Sequence, residues 1–452
     1  MLDLVVANAI VVSAANGWEP YLGFIAVENG RIVYAGERSF SPSEARETVD
    51  AEGGILLPGL FNGHCHAELS FLRGVGDGMT LLEQKRTFGK VGWFRSLCTE
   101  AERYAARQFT YCEALLSGTT FLCDNMYWSL GERAADAMAE TGIRGALSED
   151  LRPDFTKPDE MYDPARLGGL FDSFRQRGLV PVAAGVAEED YSGERLQRIR
   201  SLLAAQGADV RYTCHFAETD WRIAAAAEMF SQTPAEILWE HGLLNERCLL
   251  SHAVHLTDGD VRLLATSGAH VVNTPLCEMK ISDGAAPIAS LVQAGVPVSL
   301  GTDGPLWNNS SDIFREMKAM LLLQSLTSGV RALSVKDVLN MATVHGAAAF
   351  GLGDRLGMLR PGMEADMVLL SPSGLHLRPL RLGRYENVTS ALVFSATGRD
   401  VRDVFVRGRM RVCNGKALNV DTARLTEAVE ETGARIATEL EKMDLRRPTV
   451  QG

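Results

Sequence analysis

The stretch "LPGLFNGHCHAELSF", residues 57–71, places His64 and His66 at the end of an apolar run. In an extended strand alternate side chains lie on the same face, so the two imidazoles would stand side by side. If that face is buried, both rings need partners, because unpaired buried polar groups are costly. Neutral imidazole is a ligand for zinc and similar first-row ions. The stretch therefore indicates either a metal site or a chance pair at a surface turn.

The composition is that of a large globular protein. The chain has 452 residues, 46% of them hydrophobic and 23% charged, and a net charge of −12 without a basic block. This charge argues against nucleic acid and membrane surfaces as partners. The first residues read as a strand and not as a signal peptide, and no apolar run is long enough to cross a bilayer. The eight scattered cysteines predict reduced, mostly buried thiols of a cytoplasmic protein.

The middle of the chain alternates apolar strand-like runs with helical segments. Eight such units predict an α/β protein with a (β/α)₈ TIM barrel, since the buried parallel strands of this fold read as continuous apolar runs. The eight runs are residues 58–66, 118–125, 144–150, 179–187, 210–218, 247–256, 268–275 and 296–304.

Both ends of the chain are rich in predicted strands. In residues 1–57, Asn29-Gly30 lies between two apolar runs, which is a strong hairpin signal. The same pattern returns near the other end, in residues 365–372, 388–396 and 401–416. We expect the two ends to pair into one small β domain. A final amphipathic helix and tail follow.

Polar residues occur where the predicted barrel strands end, and barrel enzymes place their chemistry at that face. His64 and His66 end the first strand, His215 the fifth, His252 the sixth and Asp303 the eighth. Taken singly, a strand histidine is more often a satisfied core residue, and an Asp before Gly is ordinary turn chemistry. Together, His64, His66, His215 and Asp303 predict one divalent ion with a position left for water.

These motifs resemble the amidohydrolase superfamily. The matching stretches are "PGLFNGHCHAELSFLRG", "SGTTFLCDNMY", "HFAET", "SHAVHLT", "LGTDGPLWNNSSDIF" and "LRPGMEADMVLL". They are most similar to the mononuclear-zinc group of deaminases and chlorohydrolases, which includes adenosylhomocysteine/methylthioadenosine, cytosine and guanine deaminases and triazine hydrolases. The resemblance implies a small-molecule substrate, a homo-oligomer, in particular a dimer, and a β-sandwich beside the barrel. The chain then divides into residues 1–57 and 356–418 (β-sandwich), 58–355 (barrel) and 419–452 (helix and tail).

The resemblance also implies roles for the site residues. Binuclear relatives carry a carboxylated lysine at the end of the fourth strand, but residues 179–190 contain no lysine. We therefore expect one ion per chain, zinc, with Fe²⁺ or another divalent ion as the alternative. The ion supplies hydroxide from bound water, Asp303 accepts a proton, Glu218 delivers a proton to nitrogen, and His252 polarises the reacting group. Glu218 could instead orient the ligand His215.

Four further residues are substrate-binding candidates: Glu68, Arg73, Glu278 and Asn308. Glu68 completes an H-x-E pattern that cytidine deaminases also carry, but their P-C-x-x-C is absent, so it contacts substrate or caps a turn. Glu278 departs from the family motif after the seventh strand and would favour a substrate with an amino or guanidino group, or pair with Lys280. For Asp124, Met126 and Tyr127 at the end of the second strand, packing or capping is as plausible as substrate contact.

The predicted reaction is hydrolysis of a carbon–nitrogen bond, first of all the deamination of an aminated heterocycle or nucleoside-like compound. Hydrolysis of an amide in a peptide-derived or secondary metabolite, and dehalogenation of a heterocycle, are the alternatives. Ammonia release distinguishes the first reaction from the other two. A catalytically inactive binding or scaffold protein is disfavoured, because such relatives usually lose metal ligands and the full set is present.

Overall fold

The amino-terminal strands form one part of a mixed sheet. The computed structural model describes residues 2–37, 45–89, 92–152 and 160–442. The first strands are β1 (Leu2–Val11), β2 (Tyr21–Glu28), β3 (Arg31–Gly36), β4 (Ala45–Asp50) and β5 (Ile55–Pro58). Strands β1, β2 and β3 pair antiparallel in that order, whereas β4 and β5 run parallel to β1. Asn29 and Gly30, with φ of 51° and 72°, form the predicted hairpin turn.

Eight parallel strands form the predicted barrel. They are β6 (Leu60–Cys65), β7 (Thr119–Asn125), β8 (Arg144–Asp150), β9 (Val180–Ala184), β10 (Arg211–Phe216), β11 (Cys248–His252), β12 (His270–Asn273) and β13 (Val298–Leu300). Each strand pairs with the next in chain order. The N–H groups of Thr302 and Asp303 donate to the His64 carbonyl at 3.0 and 2.9 Å, which brings the last strand beside the first. All eight predicted runs contain their strand.

The carboxy-terminal strands complete the amino-terminal sheet, as predicted. They are β14 (Met367–Leu370), β15 (Val401–Val406), β16 (Arg409–Cys413) and β17 (Lys416–Ala417). Because β14 pairs antiparallel with β5, the sheet runs β17-β16-β15-β14-β5-β1-β2-β3, with β4 beside β1. The buried Arg144 of β8 pairs with Glu364 and Asp366 and so ties the barrel to this sheet. The division of the chain at residues 57, 355 and 418 stays a prediction.

Helices connect and cover the barrel strands. They are α1 (Leu81–Phe88), α2 (Gly92–Ser96), α3 (Glu100–Leu116), α4 (Glu132–Thr141), α5 (Pro164–Gln176), α6 (Gly193–Ala204), α7 (Asp220–Phe230), α8 (Pro234–Glu240), α9 (Asp258–Ser267), α10 (Pro275–Lys280), α11 (Ile288–Gln293), α12 (Pro305–Asn308), α13 (Ile313–Ser328), α14 (Val335–Ala342), α15 (Val344–Ala349), α16 (Val388–Phe394) and α17 (Thr422–Lys442). Several begin at a capping box, as with Thr99 and Glu102 at α3. Across the described residues, no helix is both long and apolar enough to span a membrane.

The strand predicted at residues 388–396 is wrong, because this segment forms helix α16. Its valines and Phe394 favour a strand by local preference. Val388, Ala391 and Leu392 have the spacing of one helical face, however, and all three are buried. That face packs on α13 and α14, so tertiary packing overrides the local preference.

An aromatic and aliphatic cluster fills the interior of the barrel. Phe61 and Phe121 stack with ring centroids 4.9 Å apart, and Phe121 packs on Phe350 at 4.7 Å. Val182, Leu249 and Val272 from other strands join them. His64, His215 and His252 lie beyond this packing, toward the carboxyl ends of their strands.

Candidate metal and catalytic site

The four predicted metal ligands meet at the carboxyl end of the barrel. Nε2 of His66 lies 3.3 Å from Nε2 of His215. The ligand atoms of His64, His66 and His215 all lie within 4.8 Å of one another. Oδ1 of Asp303 is 3.5 Å from Nε2 of His64 and 3.3 Å from Nε2 of His66. These three imidazole nitrogens and the Asp303 oxygen therefore cluster together, and His252 forms a second group of possible ligands with His64 and Asp303.

Neighbouring strands hold the imidazole rings in place. Nδ1 of His66 lies 2.5 Å from the Asn125 carbonyl, which can only accept a hydrogen bond. Nδ1 therefore carries the proton, and the lone pair on Nε2 is directed toward the other ligands. Nδ1 of His64 lies 2.8 Å from Oγ of Ser251 and also contacts the Asn125 side-chain amide.

The donor set fits a divalent cation. Among the described residues, buried Nε2 of His64 makes no close hydrogen bond, and its contact with Oδ1 of Asp303 is 3.5 Å long, an arrangement that is costly unless an ion binds there. Burial lowers the pKa of His66 to about 3 and also lowers the pKa values of His64 and His215. The three rings are thus neutral, as metal ligation requires. Three histidines with one carboxylate suit zinc and related first-row ions.

Asp303 is held in a backbone conformation that is uncommon for a non-glycine residue, with φ of 59°. Its Oδ1 accepts from the Gly304 N–H at 2.7 Å, and Sγ of Cys277 lies 2.8 Å from its Oδ2. Burial alone would raise the pKa of Asp303, but the contact with Nε2 of His64 and the positive charge of nearby His252 hold it well below its usual value. Asp303 is therefore a carboxylate that can bind a cation or accept a proton.

Glu218 and His252 lie together beside this cluster. Oε1 of Glu218 is 3.7 Å from Nε2 of His252, and Oε2 of Glu218 pairs with Arg222. Nδ1 of His252 is 3.0 Å from Oγ1 of Thr274 and 3.7 Å from Oε1 of Glu278. Burial lowers the pKa of His252, yet the carboxylates of Glu218 and Glu278 outweigh it and raise this pKa to about 10. The pair offers a cationic donor next to a carboxylate.

A cavity opens onto the ligands from the mouth of the barrel. It encloses about 950 Å³ of space, part of it open to solvent. The aromatic rings of Tyr127 and Trp307 line it next to His66 and His215. Charged side chains, among them Lys85 and Glu189, also line it. The aromatic end of the cavity suits a flat ring.

Glu278 and Glu68 lie near the site, but their hydrogen bonds are with other residues of the chain. Glu278 is buried and accepts from Nδ2 of Asn273 at 2.8 Å, so it supports His252 without lining the cavity. Lys280 pairs instead with Asp77 at 2.7 Å. Glu68 is fully buried, and its Oε1 accepts two backbone N–H groups of the loop after β7.

Arg73 and Asn308 are not brought to the cavity. Arg73 pairs with Glu113 at 2.6 Å and lines a separate surface depression. Nδ2 of Asn308 donates to the Thr302 carbonyl and to Glu316, both at 2.6 Å, and thereby braces the loop of Asp303. Neither geometry supports the predicted contact with substrate, because both side chains are engaged elsewhere.

Sequence reasoning missed several residues of the site. Arg222 follows Glu218 by four residues, which is the spacing of a helical ion pair, and this signal could have identified it. Asn125 ends a barrel strand, as the histidines do. Trp307 and the contact of Cys277 with Asp303 had no such signal, since both depend on how loops fold over the barrel.

The sequence matches a known family. The profile described as "Amidohydrolase family" matches residues 55–411. A 5-methylthioadenosine/S-adenosylhomocysteine deaminase of Desulfitobacterium hafniense is 33% identical over 420 residues, which cover 92% of this chain and 94% of that protein. A 5'-deoxyadenosine deaminase of Methanosarcina mazei is 31% identical over 453 residues, covering 96% and 100% respectively.

Solved structures share the whole architecture. An adenosine deaminase from Xanthomonas campestris with bound zinc has a TM-score of 0.88 at 28% identity, covering 97% of this chain and 99% of that chain. A triazine hydrolase variant has a TM-score of 0.84 at 20% identity, covering 95% and 99%, a likeness of fold alone. From its family match and its relatives, the chain belongs to the amidohydrolase family and is a hydrolase of carbon–nitrogen bonds.

Proposed function

We propose that this protein is a zinc-dependent deaminase that replaces the exocyclic amino group of an adenosine-like or related heterocycle with oxygen and releases ammonia. The observation that carries the proposal is the meeting of His64, His66, His215 and Asp303 at the aromatic end of the cavity. Relatives that deaminate methylthioadenosine, adenosylhomocysteine and 5'-deoxyadenosine support the substrate class.

The site residues supply the acid–base chemistry of this reaction. A bound zinc ion activates water for attack at neutral pH. Asp303, an ionised carboxylate beside the ligands, accepts a proton. Glu218, held by Arg222, takes a proton from the attacking water and passes it to the departing nitrogen, because ammonia leaves more readily than an amide ion. His252 donates a hydrogen bond that stabilises charge developing on the substrate.

Zinc-loaded protein should be screened against 5'-substituted adenosines, free aminopurines, pterins, aminotriazines, chlorotriazines and small amides. Ammonia release and the mass change from amine to hydroxyl are measured for each compound. Ammonia from an aminated heterocycle is the expected result. Cleavage of amides alone, or release of chloride alone, would replace deamination with one of the two alternative reactions.

We further propose one zinc ion per chain, a cytoplasmic location and a homodimer. The absence of lysine from residues 179–190 supports a single ion, and eight free thiols suit a reducing compartment. On one face of α13 and just beyond it, Leu322, Leu326 and Val330 are 49%, 84% and 79% exposed, which supports a contact between copies. Light scattering of Leu326→Glu against the unchanged chain tests the dimer.

A further inference from the structure

The hydroxyl of Tyr127 lies at the edge of the metal-ligand cluster. Its Oη is 3.2 Å from Nε2 of His215, the ring atom that also faces His66. The Tyr127 ring stacks on the His66 ring, with centroids 4.2 Å apart and planes at 16°. Tyr127 also lines the cavity, so its hydroxyl stands between the ligands and the space open to a substrate.

A buried carboxylate fixes this position. Oε1 of Glu68 accepts from the backbone N–H of Tyr127 at 2.8 Å and of Trp128 at 3.0 Å. Glu68 follows His66 by two residues and is fully buried. Nη2 of Arg107 lies 3.6 Å away and balances its charge, while Nε of Arg107 contacts Asp124 at 3.2 Å. The loop after β7 is thereby clamped onto the segment that carries the metal ligands.

The oxygen that adds to the substrate would gain from a second hydrogen-bond donor besides His252. The oxygen that adds to the ring carbon becomes negatively charged as it gives up its proton to Asp303, and donors aimed at that oxygen lower the barrier. Asp303 is an acceptor, and Glu218 is already paired with Arg222. His252, between Glu218 and Glu278, donates toward the substrate itself. A phenol hydroxyl is a hydrogen-bond donor, and Tyr127 lines the cavity.

We propose that Tyr127 is a further catalytic residue, whose hydroxyl donates a hydrogen bond to the oxygen that adds to the substrate carbon. Glu68 is then a positioning residue that acts through Tyr127. The inference rests on the proposed function only in requiring hydrolysis at a carbon bonded to nitrogen. Glu68 then positions the Tyr127 hydroxyl and does not itself contact the substrate.

Tyr127→Phe tests the proposal, since it removes the hydroxyl and keeps the stacking on His66. We expect kcat to fall about 10²- to 10³-fold, with KM within about threefold and metal content unchanged. The matched control is Tyr191→Phe. Tyr191 is buried, it does not line the cavity, and among the described residues its hydroxyl has no hydrogen-bond partner. Its kcat should equal that of the unchanged enzyme.

Calorimetry provides a readout independent of turnover. The competitive inhibitor for this measurement carries a hydroxyl on a tetrahedral carbon at the position where the substrate has its amino-bearing carbon. It should bind Tyr127→Phe at least about 10²-fold more weakly than it binds the unchanged enzyme, while the planar product should bind both proteins equally. Glu68→Gln should lower kcat in the unchanged enzyme but add little in Tyr127→Phe, because the two act as a unit. Additive losses would make Glu68 merely structural.

Three results would overturn the role of Tyr127. They are a kcat within about twofold of the unchanged enzyme, loss of the metal, or equal weakening of product and tetrahedral inhibitor. Failure of the proposed function looks different. If the unchanged enzyme cleaves amides but deaminates nothing, deamination is refuted, and the ratio of Tyr127→Phe to unchanged kcat on the amide still tests Tyr127.

Discussion

Glu218→Gln separates proton transfer from metal binding. The carboxylate is buried, with Oε2 paired to Arg222 and Oε1 3.7 Å from Nε2 of His252. Glutamine has the same shape and can hydrogen-bond to Arg222, but it cannot carry a proton. General acid–base catalysis is worth about 10² to 10⁴ in rate, so kcat should fall by that factor. The barrier rises by about 2.7–5.5 kcal/mol.

The same substitution should spare the metal and most of the stability. Glu218 is not among the clustered ligand atoms, so metal content should equal that of the unchanged enzyme. Removing one partner of a buried ion pair costs about 3–5 kcal/mol when a charge is left unpaired. Arg222 keeps Glu189 at 2.9 Å, so we expect a smaller loss of unfolding free energy, about 1–2 kcal/mol.

Ammonia release measures kcat, elemental analysis measures the metal content, and thermal melting measures the stability. Glu228→Gln, at an exposed position on the same helix α7, is the control and should leave all three unchanged. His215→Ala should lose both metal and activity, because it removes a ligand. Loss of metal from Glu218→Gln would refute the assigned role and make Glu218 structural. Near-normal turnover would require another acid, and His252 would be the first to test.

Three further predictions follow from the same geometry. Asp303→Asn should lower kcat by about 10³-fold or more while its circular dichroism stays native; near-normal turnover would refute its role. Arg73→Ala should keep kcat and KM within about twofold, because Arg73 pairs with Glu113 away from the cavity; a larger rise in KM would return it to the substrate site. Burial raises the pKa of Glu316 from 4.5 to about 8, so its contribution to stability is full below pH 4.5 and lost as the pH rises through about 8. As the pH is raised from about 5 to about 9, the melting temperature of Glu316→Gln should therefore fall less than that of the unchanged protein. An equal fall in both proteins would contradict this.

The barrel could be predicted because its strands are buried on both faces and read as apolar runs. The hairpin at Asn29 and Gly30 is encoded locally, since its turn needs two residues with positive φ. Helix α16 could not be predicted as easily. Its Val388, Ala391 and Leu392 are buried against α13 and α14, and the sequence alone does not show which neighbours a short apolar run will meet.

The ligand set was predictable for a related reason. Strand ends of a barrel converge whatever the loops do, so His64, His66, His215 and Asp303 had to lie close together once the strands were identified. Loop residues are different, because their direction depends on partners far away in sequence. The position of the Glu68 side chain is fixed by hydrogen bonds from backbone N–H groups about sixty residues later in the chain. Arg73 is held away from the cavity by its pairing with Glu113, forty residues later and near the end of α3.

Titration of metal-free protein with zinc, following ammonia release from the best substrate of the screen, tests the central claim most directly. The ligand atoms of His64, His66, His215 and Asp303 cluster together. Activity should therefore be absent without metal, rise linearly with added zinc and level off at one equivalent per chain. Full activity in the metal-free protein, or a plateau only at two equivalents, would contradict a single metal centre at these four residues.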